Sequence, residues 1–249
     1  MAARQEPETM SRPPRLLGVL GGMGPLATVD FLRKLIEETP AARDQDHIPV
    51  IVYGVPQIPD RPAAIIGRGE SPLPHLLEGV RTLKTAGAQA IAIACNTAYY
   101  WHDELARQGG LPILHIADSA CSGFAGKAVR RAGLIATKGT VAAGFYQSRF
   151  AARGVDCLTS SAHDQDTLVL PAIECVKRND LAQAHALAAR AVQRLADQGA
   201  EVIVLGCTEI PLAIEHQAAD VSARCIDATR ALARACVAWH GGTHTASAG

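Results

Sequence analysis

The stretch AGAQAIAIACNT at residues 86–97 has a counterpart in QGAEVIVLGCTE at residues 198–209. In each stretch a glycine precedes a run of apolar residues, and a cysteine follows that glycine at the same distance. The apolar runs are continuous rather than alternating, which is typical of parallel strands covered on both faces. Each stretch therefore predicts a buried strand whose carboxyl end carries a cysteine, Cys95 in the first case and Cys207 in the second.

A second pair of matching stretches lies upstream of the first. LLGVLGGMGPLATVDF at residues 16–31 resembles AGLIATKGTVAAGFY at residues 132–146, since each reads as a strand, a Gly/Thr turn and a helix with an aromatic residue in its second turn. The distance from the strand glycine to the later cysteine is 77 positions in the first case and 74 in the second. The chain is therefore predicted to be a duplicated pair of α/β halves related by a pseudo-twofold axis.

Apolar runs alternate with amphipathic segments along the chain, as in βαβ units built on parallel sheets. The predicted strands are 16–20, 47–55, 88–94, 112–117, 132–137 and 201–206. The predicted fold is α/β, with two similar parallel-sheet domains and the active site in the cleft between them. The first domain is predicted over residues 15–115 plus 211–241 and the second over 116–210, while 1–14 and 242–249 are expected to be flexible tails.

The composition excludes some classes of function. Of the 249 residues, 48% are hydrophobic and 19% are charged, which indicates a globular rather than a disordered chain. Lys plus Arg and Asp plus Glu both number 24, so the formal net charge is zero, whereas nucleic-acid binders usually carry a basic excess. Aromatic residues make up only 4%, which leaves few platforms for stacked bases. No nucleic-acid partner is therefore expected.

The expected compartment is a reducing cytoplasm, with no membrane partner. The residues through Arg15 are polar and form no secretory signal, and no stretch approaches the ~20 apolar residues of a membrane span. Seven cysteines are present without a CxxC pair, and they are expected to stay free thiols. Because no Cys/His cluster has the spacing of a zinc site, no metal is expected.

The repeat separates Cys95 and Cys207 from the other cysteines. Both follow a predicted parallel strand and precede a predicted helix, and open α/β sheets bind ligands at the carboxyl ends of their strands. A helix N-terminus also stabilises a thiolate. The remaining cysteines have no partner in the repeat and are interpreted as small core residues: Cys121, Cys157, Cys175, Cys225 and Cys236.

Two thiols that face each other across a cleft could invert a carbon acid. One thiolate would remove the α-proton from one face of the substrate, and the opposite thiol would return a proton from the other face. Asn96, Thr97 and Thr208 follow the two cysteines and could donate hydrogen bonds to a substrate carboxylate. Capping of the adjacent helices is an equally open interpretation of these three residues.

Five motifs point to one family. They are GVLGGMGPLAT at 18–28, IPDR at 58–61, ACNTAYYW at 94–101, LIATKGT at 134–140 and GCTEIPL at 206–212. Together they resemble the aspartate/glutamate racemase family, most closely its aspartate racemase branch, and the resemblance extends from residue 16 to about 240. It implies a cofactor-independent racemase, commonly a homodimer, with Cys95 and Cys207 as the catalytic pair. In this family pattern Cys95 would act on the D-enantiomer and Cys207 on the L-enantiomer.

The resemblance also implies a pocket for a small amino-acid substrate. Arg61 and Lys177 match positions that receive carboxylates, and two cations suit a substrate with two carboxylates. Asp60 would either contact the substrate or orient Arg61. The other positions that match the lining of the family's pocket are Met23, Gln57, Asn96, Thr97 and Thr137.

Departures from the family pattern leave the preferred side chain open. Gly54 and Val55 precede Pro56 where a serine is common, Pro62 replaces a threonine, and Tyr99 replaces a frequent histidine. The expected function is racemisation of aspartate or glutamate. A racemase of other amino acids or of hydantoins is an alternative on the same fold, and a non-catalytic module that binds small acids is an alternative from another class.

Overall fold

The computed structural model describes residues 15–215, 222 and 224–242. The strands β1 to β7 are Leu17–Gly21, Val50–Gly54, Ala90–Ile93, Arg131–Ile135, Asp156–Thr159, Val202–Leu205 and Cys225–Asp227. The helices α1 to α12 are Pro25–Glu38, Arg61–Ile65, Leu73–Thr85, His102–Gly109, Ile116–Cys121, Lys138–Ala143, Phe145–Ala151, Ala162–Asp164, Leu170–Lys177, Leu181–Asp197, Ile210–Ile214 and Ala228–His240. None of the helices in these ranges has the length and apolar character needed to span a membrane. The predicted tails lie outside the described residues, except for Gly242.

The strands form two parallel sheets, which confirms the predicted α/β fold. The first sheet has the order β2-β1-β3 and the second the order β5-β4-β6-β7. Every residue of β1, β3 and β6 is buried, because helices cover both faces of each sheet. Each of these fully buried strands has a continuous apolar run in the sequence, and β2 has one as well although it is only half-buried or exposed.

The two repeats occupy equivalent places in the two sheets. Gly18 on β1 pairs with Ile91 on β3, and the equivalent glycine, Gly133 on β4, pairs with the equivalent residue, Ile203 on β6. The register of the central strand pair is therefore the same in both halves. As a result, the segments that follow β3 and β6 leave their sheets at corresponding positions.

Two strands were not predicted, and one predicted strand is absent from the described residues. β5 and β7 are short edge strands of mixed polarity, and their residues are mostly half-buried, so they lack a continuous apolar run. The predicted strand at 112–117 is reduced to a single bridge between Ile113 and Ile91, because α5 already begins at Ile116.

The C-terminal segment is shared between the two halves. The segment 211–241 is predicted to belong to the first domain, but β7 pairs with β6 and so extends the second sheet. α12 packs against α1 of the first domain and also against α5, which lies in the predicted second domain. The described part of this segment therefore contacts both halves.

A buried ion-pair network joins α1 to the start of α12. Lys34 on α1 is only 2% exposed. Its Nζ lies 2.5 Å from Oδ2 of Asp30 and 2.7 Å from Oδ2 of Asp227. Asp227 also caps α12 by accepting hydrogen bonds from the backbone N–H groups of Thr229 and Arg230. One lysine thus holds together two carboxylates that belong to distant parts of the chain.

Two glycines allow the close approaches around the cleft. Gly22, in the turn after β1, has a φ of +89°, and a Cβ there would lie 2.3 Å from the backbone nitrogen of Val55. On α6, a Cβ on Gly139 would lie 2.7 Å from Cα of Pro62, which belongs to α2 in the other half. The backbone of the second half therefore approaches the helix that begins with Arg61.

Candidate active site

One cavity lies where segments from both sheets converge. Its lining comes from the segments that follow β1, β3, β4 and β6, from the start of α2 and from α9. The lining residues are Met23, Asp60, Arg61, Pro62, Cys95, Asn96, Thr97, Thr137, Ile173, Lys177, Cys207, Thr208 and Glu209. Of the residues predicted for the site, only Gln57 is not part of this lining; it is exposed on the loop between β2 and α2.

The two repeat-related cysteines occupy equivalent positions around this cavity. Cys95 lies two residues after β3 and Cys207 two residues after β6. Their residues are 5% and 4% exposed. No disulfide joins any of the seven cysteines, all of which lie in the described ranges. Thiols from both halves thus belong to the lining of the same cavity.

The other five cysteines lie outside the cavity lining. Three of them are buried, in agreement with a core interpretation: Cys121, Cys175 and Cys236. Cys157 on β5 and Cys225 on β7 are only half-buried, because both strands are at sheet edges. These five thiols provide controls for substitutions at the cavity.

Glu209 contributes a buried carboxylate that the sequence analysis did not predict. It is 6% exposed, and its Oε2 accepts a hydrogen bond of 3.0 Å from Sγ of Cys207. The hydroxyl of Thr208 donates to the same oxygen at 3.1 Å. Alignment of the two repeats could have identified this residue, because Glu209 occupies the position equivalent to Thr97.

This environment keeps Cys207 protonated. Burial raises the pKa of the Cys207 thiol well above its ordinary value, and the charge and hydrogen bond of Glu209 raise it further. The charge of Lys177 acts in the opposite direction, and it lowers the pKa of the same thiol. Cys207 therefore holds a proton that it could donate to a carbanion formed in the cavity.

Three threonine hydroxyls connect the two halves beside Cys95. The Oγ1 of Thr97 lies 3.1 Å from that of Thr137 and 2.9 Å from that of Thr140. Thr137 also caps α6, since its hydroxyl accepts a hydrogen bond from the backbone nitrogen of Thr140. Thr137 therefore caps a helix, while Thr97 takes part in a contact between the halves. Asn96 precedes the turn at 97–101 without a capping hydrogen bond from its side chain.

In the side-chain amide of Asn96, the oxygen has a hydrogen-bond partner and the nitrogen has none among the described residues. Its Oδ1 accepts a hydrogen bond of 2.6 Å from the hydroxyl of Tyr146. Its Nδ2 is buried and has no hydrogen-bond partner among the described residues. A buried donor without a partner is costly, so this amide is suited to an acceptor that occupies the cavity.

Part of the Arg61 guanidinium donates hydrogen bonds to carbonyl groups of the main chain. Its Nη1 donates to the carbonyl oxygens of Ile58 at 2.9 Å and Pro59 at 3.0 Å. Its Nε is buried and has no partner in the part of the chain that the structure describes. Asp60 caps α2 through the backbone nitrogen of Ala63. The carbonyls thus anchor one end of the guanidinium, and the Nε–H remains for a carboxylate.

Lys177 supplies the second cation of the lining. It is the last residue of α9 and is exposed, which leaves its ammonium free to move toward a bound ligand. The described residues contain no cluster of three His, Cys, Asp or Glu side chains that could hold a metal ion. The cavity thus combines two thiols, hydrogen-bond donors and two cations.

Comparisons with known proteins agree with this description. A profile of the Asp/Glu/hydantoin racemase family matches residues 20–236. Picrophilus torridus aspartate racemase has a similar structure, with a TM-score of 0.79 and 30% sequence identity over 92% of this chain and 94% of that one. An aspartate racemase homologue from Pyrococcus horikoshii shares the fold, with a TM-score of 0.72 and 24% identity over 91% of this chain and 99% of that one.

A relative with a different specificity also matches most of the chain. The broad specificity amino-acid racemase of Bacillus subtilis is 26% identical over 229 residues, which cover 89% of this chain and 96% of that protein. The matched relatives therefore include proteins described as racemases of one amino acid and of several.

Proposed function

The chain belongs to the Asp/Glu/hydantoin racemase family and is an amino-acid racemase, and on that premise we propose that it interconverts L- and D-aspartate, or glutamate. The proton would move between the substrate and the thiols of Cys95 and Cys207. The observation that carries this proposal is the position of both cysteines, each after an equivalent strand, in the lining of one cavity.

In the proposed mechanism the two thiols act on opposite faces of the substrate. With Cys207 protonated beside Glu209, the thiolate of Cys95 removes the α-proton, and the electron pair of the C–H bond stays on the α-carbon and its carboxylate. Cys207 then delivers its proton to the other face, which inverts the centre. After turnover the protonation states are exchanged, so the reverse reaction uses Cys207 as the base.

Hydrogen-bond donors stabilise the charge that develops in this step. As the α-carbon loses its proton, negative charge spreads onto the α-carboxylate, and fixed donors around it lower the barrier most. The amide of Asn96 and the hydroxyl of Thr97 line the cavity and can fill this role. The hydroxyl of Thr208 lines it too, but its hydrogen is donated to Glu209. No cofactor is required by this scheme, since the proton moves only between sulfur and carbon.

The cations of the lining support an acidic substrate. The free Nε–H of Arg61 and the mobile ammonium of Lys177 can receive a second carboxylate, as in aspartate or glutamate. A racemase with broader specificity is the second candidate. It is favoured by the carboxylate of Glu209 in the same cavity and by the use of Arg61 Nη1 on backbone carbonyls, both of which weaken the preference for an anionic side chain.

Exchange of the α-proton in heavy water tests the proposal directly. The protein is incubated with L-aspartate in D2O without pyridoxal phosphate, and α-deuterium and the D-enantiomer are followed by NMR and chiral chromatography. We expect both to appear together, and a panel of common amino acids and hydantoins then ranks the substrates. Absence of exchange for both aspartate and glutamate would refute the proposed substrates, and exchange limited to neutral or basic amino acids would favour the second candidate.

Lys177→Met should reduce the preference for acidic substrates. We expect kcat/KM for aspartate relative to asparagine to fall about tenfold, because a charge-assisted hydrogen bond to the side-chain carboxylate is lost. Chiral assays on both substrates measure this ratio, and Lys127→Met serves as a control at an exposed lysine outside the lining. An equal loss for aspartate and asparagine would mean that Lys177 does not read the side chain.

Glu209→Gln should make Cys207 more reactive at pH 8. The carboxylate raises the pKa of this thiol, so its removal lowers the pKa and increases the fraction of thiolate, the form that is alkylated. We expect alkylation of Cys207 by iodoacetamide to accelerate about tenfold, which corresponds to one pKa unit. Peptide mass spectrometry follows the site, and Glu174→Gln is the control at an exposed glutamate outside the lining. An unchanged rate would contradict the proposed effect of Glu209 on this thiol.

A further inference from the structure

A single hydrogen bond connects α7 of the second half to the segment that carries Cys95. Tyr146 on α7 is fully buried, and its hydroxyl donates to Oδ1 of Asn96 at 2.6 Å. This is the only hydrogen bond recorded for that hydroxyl within the described residues. Asn96 follows Cys95 directly and is 2% exposed. The tyrosine therefore acts on a cavity residue without lining the cavity itself.

Because the Tyr146 hydroxyl is bonded to the oxygen of the Asn96 amide, the nitrogen of that amide is left for a ligand. A hydroxyl that donates to the amide oxygen holds the carboxamide in one of its two orientations. The Nδ2 group then keeps its two hydrogens without a partner, although it is buried. With the opposite orientation, the unsatisfied group would be an oxygen, which would repel a substrate carboxylate. In the orientation that the structure shows, the hydrogen bond from Tyr146 leaves a donor rather than an acceptor at this position.

The internal repeat offers an independent comparison. The position equivalent to Tyr146 in the first half is Phe31, and the position equivalent to Asn96 in the second half is Thr208. A hydroxyl is therefore present where the cavity residue is an amide that can flip, and it is absent where the cavity residue is a threonine, which has no amide to orient. The two differences between the halves are explained together if the hydroxyl serves the amide.

We propose that Tyr146 is a positioning residue that holds Asn96 with its Nδ2 group available to the substrate α-carboxylate. This inference rests on the proposed function and deepens it. Burial raises the pKa of the Tyr146 hydroxyl well above its ordinary value, so the hydroxyl keeps the hydrogen that it donates to Asn96 at neutral pH. The carboxylate gains charge as the α-proton leaves, and a donor fixed in advance stabilises that charge more than a donor that must reorient.

The test is a double-substitution cycle with Tyr146→Phe and Asn96→Ala. We expect Tyr146→Phe to lower kcat/KM for L-aspartate about tenfold, with the larger part of the loss in kcat, because the donor matters most in the transition state. In the Asn96→Ala background the same substitution should change kcat/KM less than twofold, since the residue it acts through is gone. A loss that stays about tenfold in that background, or no loss in the wild-type background, would overturn the proposal.

Tyr99→Phe is the matched control. Tyr99 is also buried, and its hydroxyl makes hydrogen bonds to Ile93 and Leu114, outside the cavity lining. We expect this substitution to lower the melting temperature while kcat/KM changes less than twofold. Comparable losses of kcat/KM in the two variants would assign the effect of Tyr146 to packing and overturn the positioning role.

Calorimetric titration with L-aspartate separates this inference from the proposed function. Weaker binding to Tyr146→Phe than to the wild type, without any α-proton exchange by either, would support the positioning role and refute racemisation of aspartate. Exchange by the wild type, with unchanged binding and turnover in Tyr146→Phe, would support racemisation and overturn the positioning role.

Discussion

Replacement of Cys95 or Cys207 by alanine is expected to abolish racemisation in both directions, with a loss of at least about 10³-fold. In the proposed mechanism each thiol serves one face of the substrate, so neither can carry out inversion alone. The measurement is the rate of appearance of the opposite enantiomer, started separately from L-aspartate and from D-aspartate. In D2O, any residual exchange should be limited to one enantiomer in each variant, because the remaining thiol reaches only one face.

Cys121→Ala is the control for this pair of substitutions. Cys121 is buried to a similar degree but lies outside the cavity lining, so its removal takes away a thiol without touching the proposed chemistry. We expect this variant to racemise at nearly the wild-type rate. If a single cavity cysteine supported racemisation from both enantiomers, the two-thiol mechanism would be wrong.

Lys34→Met is expected to lower the free energy of unfolding more than the removal of any other single charged side chain of α1. The ammonium of Lys34 lies between Asp30 and Asp227, and its removal leaves buried negative charge with one cation fewer. Such a change costs about 3 kcal/mol and lowers the melting temperature of a domain this size by about 6–12 °C. Chemical denaturation and calorimetry measure both quantities.

Arg33→Met provides the comparison on the same helix. Arg33 also pairs with Asp30, but the Arg33 side chain is 39% exposed, so water screens this ion pair. Water can also take the place of the guanidinium when it is removed. We expect a loss below about 1 kcal/mol for this variant. Equal losses for the two substitutions would show that burial of Lys34 does not determine the strength of its ion pairs.

The cysteine pair and the two sheets could be predicted from the sequence because both are repeated in it. Cys95 and Cys207 could be separated from five other cysteines because each follows a matching apolar run. The same matching predicted the parallel sheets, in which the repeated strands β1, β3 and β6 are fully buried and continuous in hydrophobicity. Edge strands such as β5 and β7 lack this signal because they are only partly covered.

The features that escaped prediction depend on side-chain geometry rather than on pattern. Alignment of the repeats places Glu209 opposite Thr97, but only the structure shows that its carboxylate accepts a hydrogen bond from the thiol of Cys207. Tyr146 reaches Asn96 across 50 positions of sequence, and the repeat shows only that an aromatic residue stands there. Gln57 illustrates the opposite case, since a motif position indicated a pocket residue while the loop leaves it exposed and outside the lining.

The two sides of the cavity are chemically unequal, with Asn96 held by Tyr146 near one thiol and Glu209 hydrogen-bonded to the other. Enantiomers have the same free energy in water, so the equilibrium between them lies at equal concentrations whatever the protein does. The value of kcat/KM must therefore be the same for the L- and the D-enantiomer. The asymmetry of the protein can make kcat larger for one enantiomer only if KM for that enantiomer is larger by the same factor. A substitution on either side of the cavity accordingly changes kcat/KM equally for the L- and the D-substrate.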